Sequence, residues 1–154
     1  MNRNLQKKFP EYFKNFEFPP GTEERELLVF RACKTQKIDK ESFLNSYEEN
    51  GFKVLTTHES NDPQVYSMST YMQLKDLKRY MTLNENYPKP FIIASGKTNP
   101  EYGVCAITKE WKKRLGIKYK GGSHVDWWLY EGATPWKDFT EVKPDEYRGY
   151  FKKS

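Results

Sequence analysis

Apolar residues fall in short runs along the chain, and most of these runs predict β-strands. Residues 27–33 (LLVFRAC) are apolar at every position except Arg31, a pattern typical of a strand buried on both faces. Further runs rich in aromatic and β-branched residues predict strands at 65–68, 91–95, 102–108 and 124–130. The chain is therefore expected to contain about five strands.

Helical spacing of apolar residues predicts two main helices. The first begins after Asp39 as N-cap, continues to about Asn50 and stops at Gly51. Its inward positions are Phe43, Leu44 and Tyr47. The second begins at Thr70, where Thr70 and Gln73 have the spacing of a capping box. Its apolar stripe comprises Tyr71, Leu74, Leu77 and Met81. A short basic helix is predicted at 109–115.

The two ends of the chain are expected to pack on this core through aromatic side chains. Residues 1–22 form an arm with a short helix, in which Pro10 interrupts a helical spacing of apolar residues. These residues are Leu5, Phe9, Phe13 and Phe16. Residues 131–154 form a packed tail. The order of elements predicts a single α+β domain (1–154) with a mixed or largely antiparallel sheet and helices on one face.

Composition sharpens this picture. The chain has 154 residues, and 16% of them are aromatic, so its core is built from rings more than from Leu, Ile and Val. That apolar area predicts a folded protein in spite of a charged fraction of 31%. The formal net charge of +5 favours anionic partners without identifying one.

Two cysteines, Cys33 and Cys105, are too few and too far apart for a disulfide framework, so we expect both to be reduced and buried. Cys33, His58, Cys105 and His124 lack the short spacings of a zinc site, and we predict no metal and no cofactor. The sequence shows neither a secretory h-region nor a membrane-spanning run. A cytoplasmic location and no membrane partner are the resulting expectations.

The strand 124–130 carries the densest set of chemically capable residues. Strand alternation directs Val125, Trp127 and Leu129 to one face, which is core. The opposite face holds His124, Asp126 and Trp128. An imidazole beside a carboxylate can hold a metal, share a proton or frame a stacking pocket. The plainer interpretation is a half-exposed second face with His124 hydrogen-bonded to a neighbour.

Cys105 with His124 and Asp126 has the composition of a thiol-nucleophile triad. No local signature of a nucleophile surrounds Cys105, which lies in the apolar run 103–107. Core packing is therefore the favoured interpretation of this cysteine.

Arg31 within a strong strand needs an ion pair or an anionic ligand. Residues 67–70 (SMST), including Ser69, offer hydroxyl groups and backbone amides that can bind phosphate or carboxylate. An arginine on one strand followed by a Ser/Thr cluster on a later strand resembles the arrangement in ADP-ribosyltransferase-like enzymes. The resemblance covers these two short stretches and implies an enzyme acting on a nucleotide or related anionic substrate. An ion pair at Arg31 and an ordinary helix cap explain the same residues without a ligand.

A basic run follows at 109–120, with six basic residues, one acidic residue and interleaved rings. Its candidate contact residues, taken with a ring from the next strand, are Trp111, Lys112, Lys113, Arg114, Lys118, Tyr119, Lys120 and Trp128. Basic charge with aromatic rings is the composition of a nucleic-acid contact, although a solvated helix shares it. Residues 123–146 carry six acidic side chains against two basic ones, and this segregation also suits a protein partner.

Three functions are consistent with these observations. The leading hypothesis is a small non-catalytic protein that binds nucleic acid or a nucleoprotein partner through the basic run. The second is a protein–protein interaction or inhibitor-like accessory module that uses aromatic contacts at Trp111, Trp128 and Trp136. The third is an enzyme acting on a nucleotide or other anionic substrate, in which Arg31, Ser69, His124 and Asp126 line one pocket.

Overall fold

Six strands form one antiparallel sheet in the computed structural model, which describes residues 7–78, 91–143 and 145. The strands are β1 (Leu28–Cys33), β2 (Met68–Tyr71), β3 (Ile92–Lys97), β4 (Gly103–Ile107), β5 (His124–Leu129) and β6 (Thr140–Glu141). Their order across the sheet is β4-β5-β2-β1-β3-β6. The predicted α+β class is confirmed. The strand count is six rather than about five because the two-residue β6 has too little local pattern to be recognised.

Two short α-helices lie entirely within the described residues, α1 (Ser46–Glu49) and α2 (Thr108–Arg114). The same residues contain 3-10 turns at Glu11–Asn15, Lys40–Ser42, Pro63–Val65, Leu74–Leu77 and Pro135–Asp138. Helix α2 confirms the predicted basic helix at 109–115. It joins β4 to β5 and contacts both of these strands.

The sheet opens between β1 and β2. Strand β1 pairs with β3 over six residues but with β2 only where Phe30 faces Tyr71. The side chain of Arg31 is 7% exposed and fills the opening. Its guanidinium donates hydrogen bonds to the backbone carbonyls of Ser42 (3.0 Å), Ser69 (2.8 Å) and Leu44 (3.2 Å). Backbone carbonyls are therefore the main partners of this buried cation.

The predicted helix from Asp39 to Asn50 is wrong as a continuous element. Asp39 caps only the 3-10 turn Lys40–Ser42, and Asn45 caps α1 through a capping box with Glu48. The carbonyls of Ser42 and Leu44 accept from Arg31, and the N–H of Ser46 donates to the carbonyl of Ser67 instead of to Ser42 as a continuous helix would require. Gly51 does follow the helix with φ +69°, as expected for a C-terminal stop.

The prediction for residues 65–81 is also corrected. The strand is Met68–Tyr71 rather than 65–68, and Thr70 lies inside it. The Thr70 hydroxyl donates to the carbonyl of Val125 on β5 (3.1 Å), so it does not cap a helix. Within the predicted second helix, Leu74–Leu77 form a 3-10 turn and Lys78 is α-helical, while Met81 lies outside the described residues.

Both faces of the sheet are covered. One core joins Val29, Met68, Val125 and Trp127 with Phe139, and a second core lies under Trp128. The N-terminal arm contributes Phe13 and Phe16 to this second core. Leu5 of the arm and residues 146–154 of the predicted tail lie outside the described residues. The second face of β5 is thus buried, not half exposed.

Candidate functional site

Asp126 is the centre of a buried polar network on the second face of β5. Its side chain is 0% exposed and accepts hydrogen bonds from four side chains. The donors are Ser67 Oγ (2.7 Å), Thr108 Oγ1 (2.7 Å), Trp111 Nε1 (3.0 Å) and Gln64 Nε2 (3.2 Å). A carboxylate offers about four acceptor positions on its two oxygens, and these four donors can fill them.

His124 joins this network to the sheet opening. Thr108 Oγ1 lies 2.6 Å from His124 Nδ1 and uses its single hydrogen on Asp126. The Nδ1 atom of His124 must therefore carry a proton and donate to Thr108. On the other side of the ring, Nε2 lies 2.9 Å from Ser69 Oγ and accepts its hydrogen. The result is a continuous hydrogen-bonded chain from Ser69 through His124 and Thr108 to Asp126.

Burial keeps the imidazole neutral. Desolvation lowers the pKa of His124 below its usual value, and the charges of Lys112 and Arg31 act in the same direction. Asp126 opposes this shift, with Oδ1 3.8 Å from His124 Nδ1, but the desolvation of a 5% exposed ring is larger. A neutral ring with a free Nε2 lone pair is the form that can accept a proton.

The hydrogen-bonded chain ends at Ser69, which lines a small cleft of about 120 Å³ at the place where β1 and β2 separate. The cleft is also lined by Arg31, Lys34, Glu49 and Tyr71. Glu49 Oε2 lies 3.8 Å from Arg31 Nη2 and 3.5 Å from Lys34 Nζ. Two cations against one carboxylate give the cleft a net positive charge. A hydroxyl group held by an imidazole thus opens into a positively charged cleft.

The four residues selected as catalytic candidates lie together in the structure, with Ser69 linked to each of the other three. Arg31 donates to its backbone carbonyl, His124 accepts from its hydroxyl, and Asp126 is reached through Thr108. Ser67 and Thr108 were missed by sequence reasoning because they are 59 and 18 residues from Asp126 along the chain. The Ser/Thr cluster at 67–70 is the signal that could have included Ser67.

Cys105 stands apart from this site. It faces Trp127 across β4 and β5, whereas Asp126 faces the neighbouring Ala106, so Cys105 lies on the opposite side of the sheet. Its thiol contacts Thr98 Oγ1 (3.7 Å), and burial raises its pKa. Both cysteines are free and buried. The geometry agrees with core packing and does not form a Cys–His pair.

The basic run 109–120 begins within α2 and continues past its end, and its side chains differ in exposure. Trp111 is 4% exposed and Trp128 is 0% exposed, so neither ring presents a surface for stacking or for a partner protein. Lys112 lies over the rings of Trp111 (5.4 Å) and Tyr119 (4.9 Å). The exposed members of the predicted contact set are Lys113, Arg114, Lys118 and Lys120, with Tyr119 half-buried among them.

Across the described parts of the chain, His, Cys, Asp and Glu side chains nowhere gather in a group of three that could hold a metal ion. The same residues contain no helix with the length and hydropathy needed to cross a membrane. The chain was also compared with family models, curated proteins and solved structures, and none of the three comparisons gives a match.

Proposed function

We propose that the chain is a hydrolase or group-transfer enzyme acting on a small anionic substrate, with Ser69 as nucleophile and His124 as general base. One observation carries the proposal. The hydrogen-bonded chain from Ser69 to Asp126 places a serine hydroxyl on a neutral imidazole at the edge of a positively charged cleft. A nucleophile, a base and an orienting group in sequence are the parts that nucleophilic catalysis requires.

The proposed step uses each group of the hydrogen-bonded chain from Ser69 to Asp126. Ser69 Oγ attacks the electrophilic centre of the substrate while its proton passes to His124 Nε2. The imidazolium that forms is stabilised by Asp126 through the Thr108 hydroxyl. His124 then returns the proton to the leaving group, and water or a second substrate releases the group from Ser69.

Charge selects the substrate class. Arg31 donates three of its five N–H groups to backbone carbonyls, and both Arg31 and Lys34 line the cleft. Both cations favour a negatively charged group over a neutral one. Nucleotides are the first substrates to test, because Arg31 and the cluster at 67–70 resemble the arrangement in ADP-ribosyltransferase-like enzymes.

A serine-directed fluorophosphonate tests the nucleophile directly, since it phosphonylates an activated serine with loss of fluoride. We expect one adduct per chain, located at Ser69 by peptide mass spectrometry and absent in Ser69→Ala. Ser46→Ala is the matched control because Ser46 lines the same cleft and should keep the adduct. Turnover is then measured with NAD, ATP and p-nitrophenyl phosphate. Absence of the adduct in the folded protein, together with no turnover of this panel, would contradict the proposal.

Nucleic-acid binding is a second candidate, favoured by the exposed cations on α2 and in the segment that follows it. Lys109, Lys113, Lys118 and Tyr119 line one open groove of about 320 Å³. Lysines spaced around a groove can follow a phosphate backbone, and Tyr119 supplies a ring that can stack on a base. The contact set proposed here omits Trp111 and Trp128, since both rings are buried.

Its test is the salt dependence of binding to single-stranded DNA and RNA. Charge reversal at Lys113 and Lys118 should weaken binding to all sequences and lower the salt slope by about one per lost phosphate contact. Lys53→Glu, at an exposed lysine after α1, is the control and should bind as the wild type does. Absence of binding at low salt would exclude this function.

A further inference from the structure

The cleft at Ser69 contains more positive than negative charge. Arg31 and Lys34 both line it, and Glu49 is the one carboxylate among the described residues that do so. The three carbonyls that accept hydrogen bonds from Arg31 carry no net charge, so they do not neutralise its guanidinium. The Arg31 side chain is buried, and a buried charge is normally paired with an opposite one. One carboxylate shared by two cations leaves this pairing incomplete.

Glu49 is held loosely between the two cations. Its Oε2 atom lies 3.8 Å from Arg31 Nη2 and 3.5 Å from Lys34 Nζ, and both distances are longer than the roughly 2.8 Å of a charge-assisted hydrogen bond. The side chains of Glu49 and Lys34 are 28% and 54% exposed, so solvent reaches this ion pair. Ion pairs that are exposed in this way contribute little to stability. An anion that binds the same two cations at hydrogen-bond length can therefore displace the Glu49 carboxylate.

The size of the cleft limits what the two cations can hold. Its volume of about 120 Å³ corresponds to the share of about four water molecules in the liquid. Pockets that enclose a whole drug-sized ligand have roughly 300–1,000 Å³. The cleft therefore accommodates one tetrahedral oxyanion, and the rest of a larger substrate lies outside it. A terminal phosphate group meets this condition, whereas the internal diphosphate of NAD, which is substituted on both sides, does not.

We propose that the cleft binds the terminal phosphate group of a phosphate monoester, and that Glu49 is a specificity-determining residue whose carboxylate this group displaces from Arg31 and Lys34. A phosphate group carries close to two negative charges near pH 7, against one for a carboxylate, so it can pair with both cations. A monoanionic carboxylate has no such advantage over Glu49, which is already in place. The assignment rests on the proposed function, since Ser69 marks the cleft as the substrate site, but it concerns binding and requires no reaction.

Methyl phosphate and dimethyl phosphate test the proposal as probes of a terminal and an internal phosphate. In calorimetric titrations at low salt, the wild type should bind methyl phosphate and should bind dimethyl phosphate more weakly. Glu49→Gln removes the competing charge and keeps the shape of the side chain, so it should bind methyl phosphate roughly three- to tenfold more tightly than the wild type. Lys34→Gln should weaken this binding. Glu59→Gln, at an exposed glutamate outside the cleft, is the matched control for net charge and should bind as the wild type does.

Backbone ¹H–¹⁵N spectra of the wild type locate the bound anion without any variant. Methyl phosphate should shift the amide signals of Lys34 and Ser69 at the cleft and leave those of Lys113 and Lys118 in the basic groove unmoved. Equal or weaker binding of methyl phosphate by Glu49→Gln, equal binding of the two probes, shifts confined to the basic groove, or no binding at millimolar concentration would each overturn the proposal.

Two results separate this proposal from the reaction at Ser69. If the fluorophosphonate forms no adduct while methyl phosphate binds as expected, the proposed reaction fails and the anion site stands. If the adduct forms at Ser69 while Glu49→Gln leaves the affinity for methyl phosphate unchanged, the reaction stands and the role assigned to Glu49 is wrong.

Discussion

Trp127 and Trp128 are adjacent on β5 and both 0% exposed, yet only Trp128 has a hydrogen-bond acceptor for its indole. Strand alternation sends the two rings to opposite faces of the sheet, Trp127 among the residues of one core and Trp128 among those of the other. Trp128 Nε1 donates to the carbonyl of Pro63 at 3.0 Å. Two side chains of one type and equal burial thus differ in a single hydrogen bond.

This difference predicts unequal costs for the same substitution. Trp→Phe removes similar volume at both positions, but Trp128→Phe also leaves the Pro63 carbonyl without its partner. Trp127→Phe removes a donor that is already unpaired. We therefore expect Trp128→Phe to lower the free energy of unfolding by about 1–2 kcal/mol more than Trp127→Phe. Urea denaturation with matched m-values measures the difference, and a greater loss in Trp127→Phe would contradict the assignment.

The hydroxyl of Thr108 is predicted to be the critical link of the polar network. Thr108→Val keeps the shape of the side chain but leaves His124 Nδ1–H without an acceptor and removes one donor from Asp126. The expected loss of stability is about 2–4 kcal/mol, since both groups are buried. Thr108→Ser keeps the hydroxyl and should cost about 1 kcal/mol for the lost methyl group. If the two variants unfold at the same urea concentration, the hydroxyl does not connect His124 to Asp126.

His124 should make stability depend on pH. Burial lowers its pKa in the folded chain below the ordinary value of 6.5, while the unfolded chain titrates near that value. Below about pH 6.5 the unfolded state therefore binds a proton that the folded state does not, so stability falls as the pH falls. Above that pH both states are neutral and the contribution of His124 is constant.

Urea midpoints measured from about pH 8 down to about pH 5 test this slope, whose limit is about 1.4 kcal/mol per pH unit for one proton. His124→Gln should flatten the slope. His58→Gln, at the exposed second histidine, should leave it as in the wild type. A slope that survives in His124→Gln would assign the effect to other groups.

Patterns of apolar and polar residues correctly predicted those strands whose formation depends on residues close together in the sequence. The strands at 28–33, 92–97 and 124–129 follow from apolar runs, and alternation correctly put His124 and Asp126 on one face. The break at Ser42 to Asn45 coincides with long-range hydrogen bonds, in which Arg31 donates to two carbonyls of this segment and Ser46 N–H donates to the carbonyl of Ser67. A pattern of residue types cannot show where a guanidinium from another strand will bond.

The site itself was only partly predictable for the same reason. Arg31, His124 and Asp126 could be selected by residue type because each is unusual in an apolar strand, and Ser69 could be selected from the Ser/Thr cluster at 67–70. The role of Thr108 depends on β4, α2 and β5 bringing its hydroxyl between His124 and Asp126. That placement is set by tertiary packing, which leaves no signature around residue 108.

The cysteines should be inert in the folded protein. Burial raises the pKa of Cys33 to about 11 and raises that of Cys105, so neither thiol forms much of the reactive thiolate near neutral pH. We expect negligible alkylation by iodoacetamide at about pH 8 in buffer and alkylation of both cysteines in urea. The rate in buffer should follow the opening of the fold, because Cys105 is 1% exposed and Cys33 0%. Rapid alkylation of Cys105 in the folded chain that is lost in His124→Gln would contradict its place in the core and restore a thiol nucleophile.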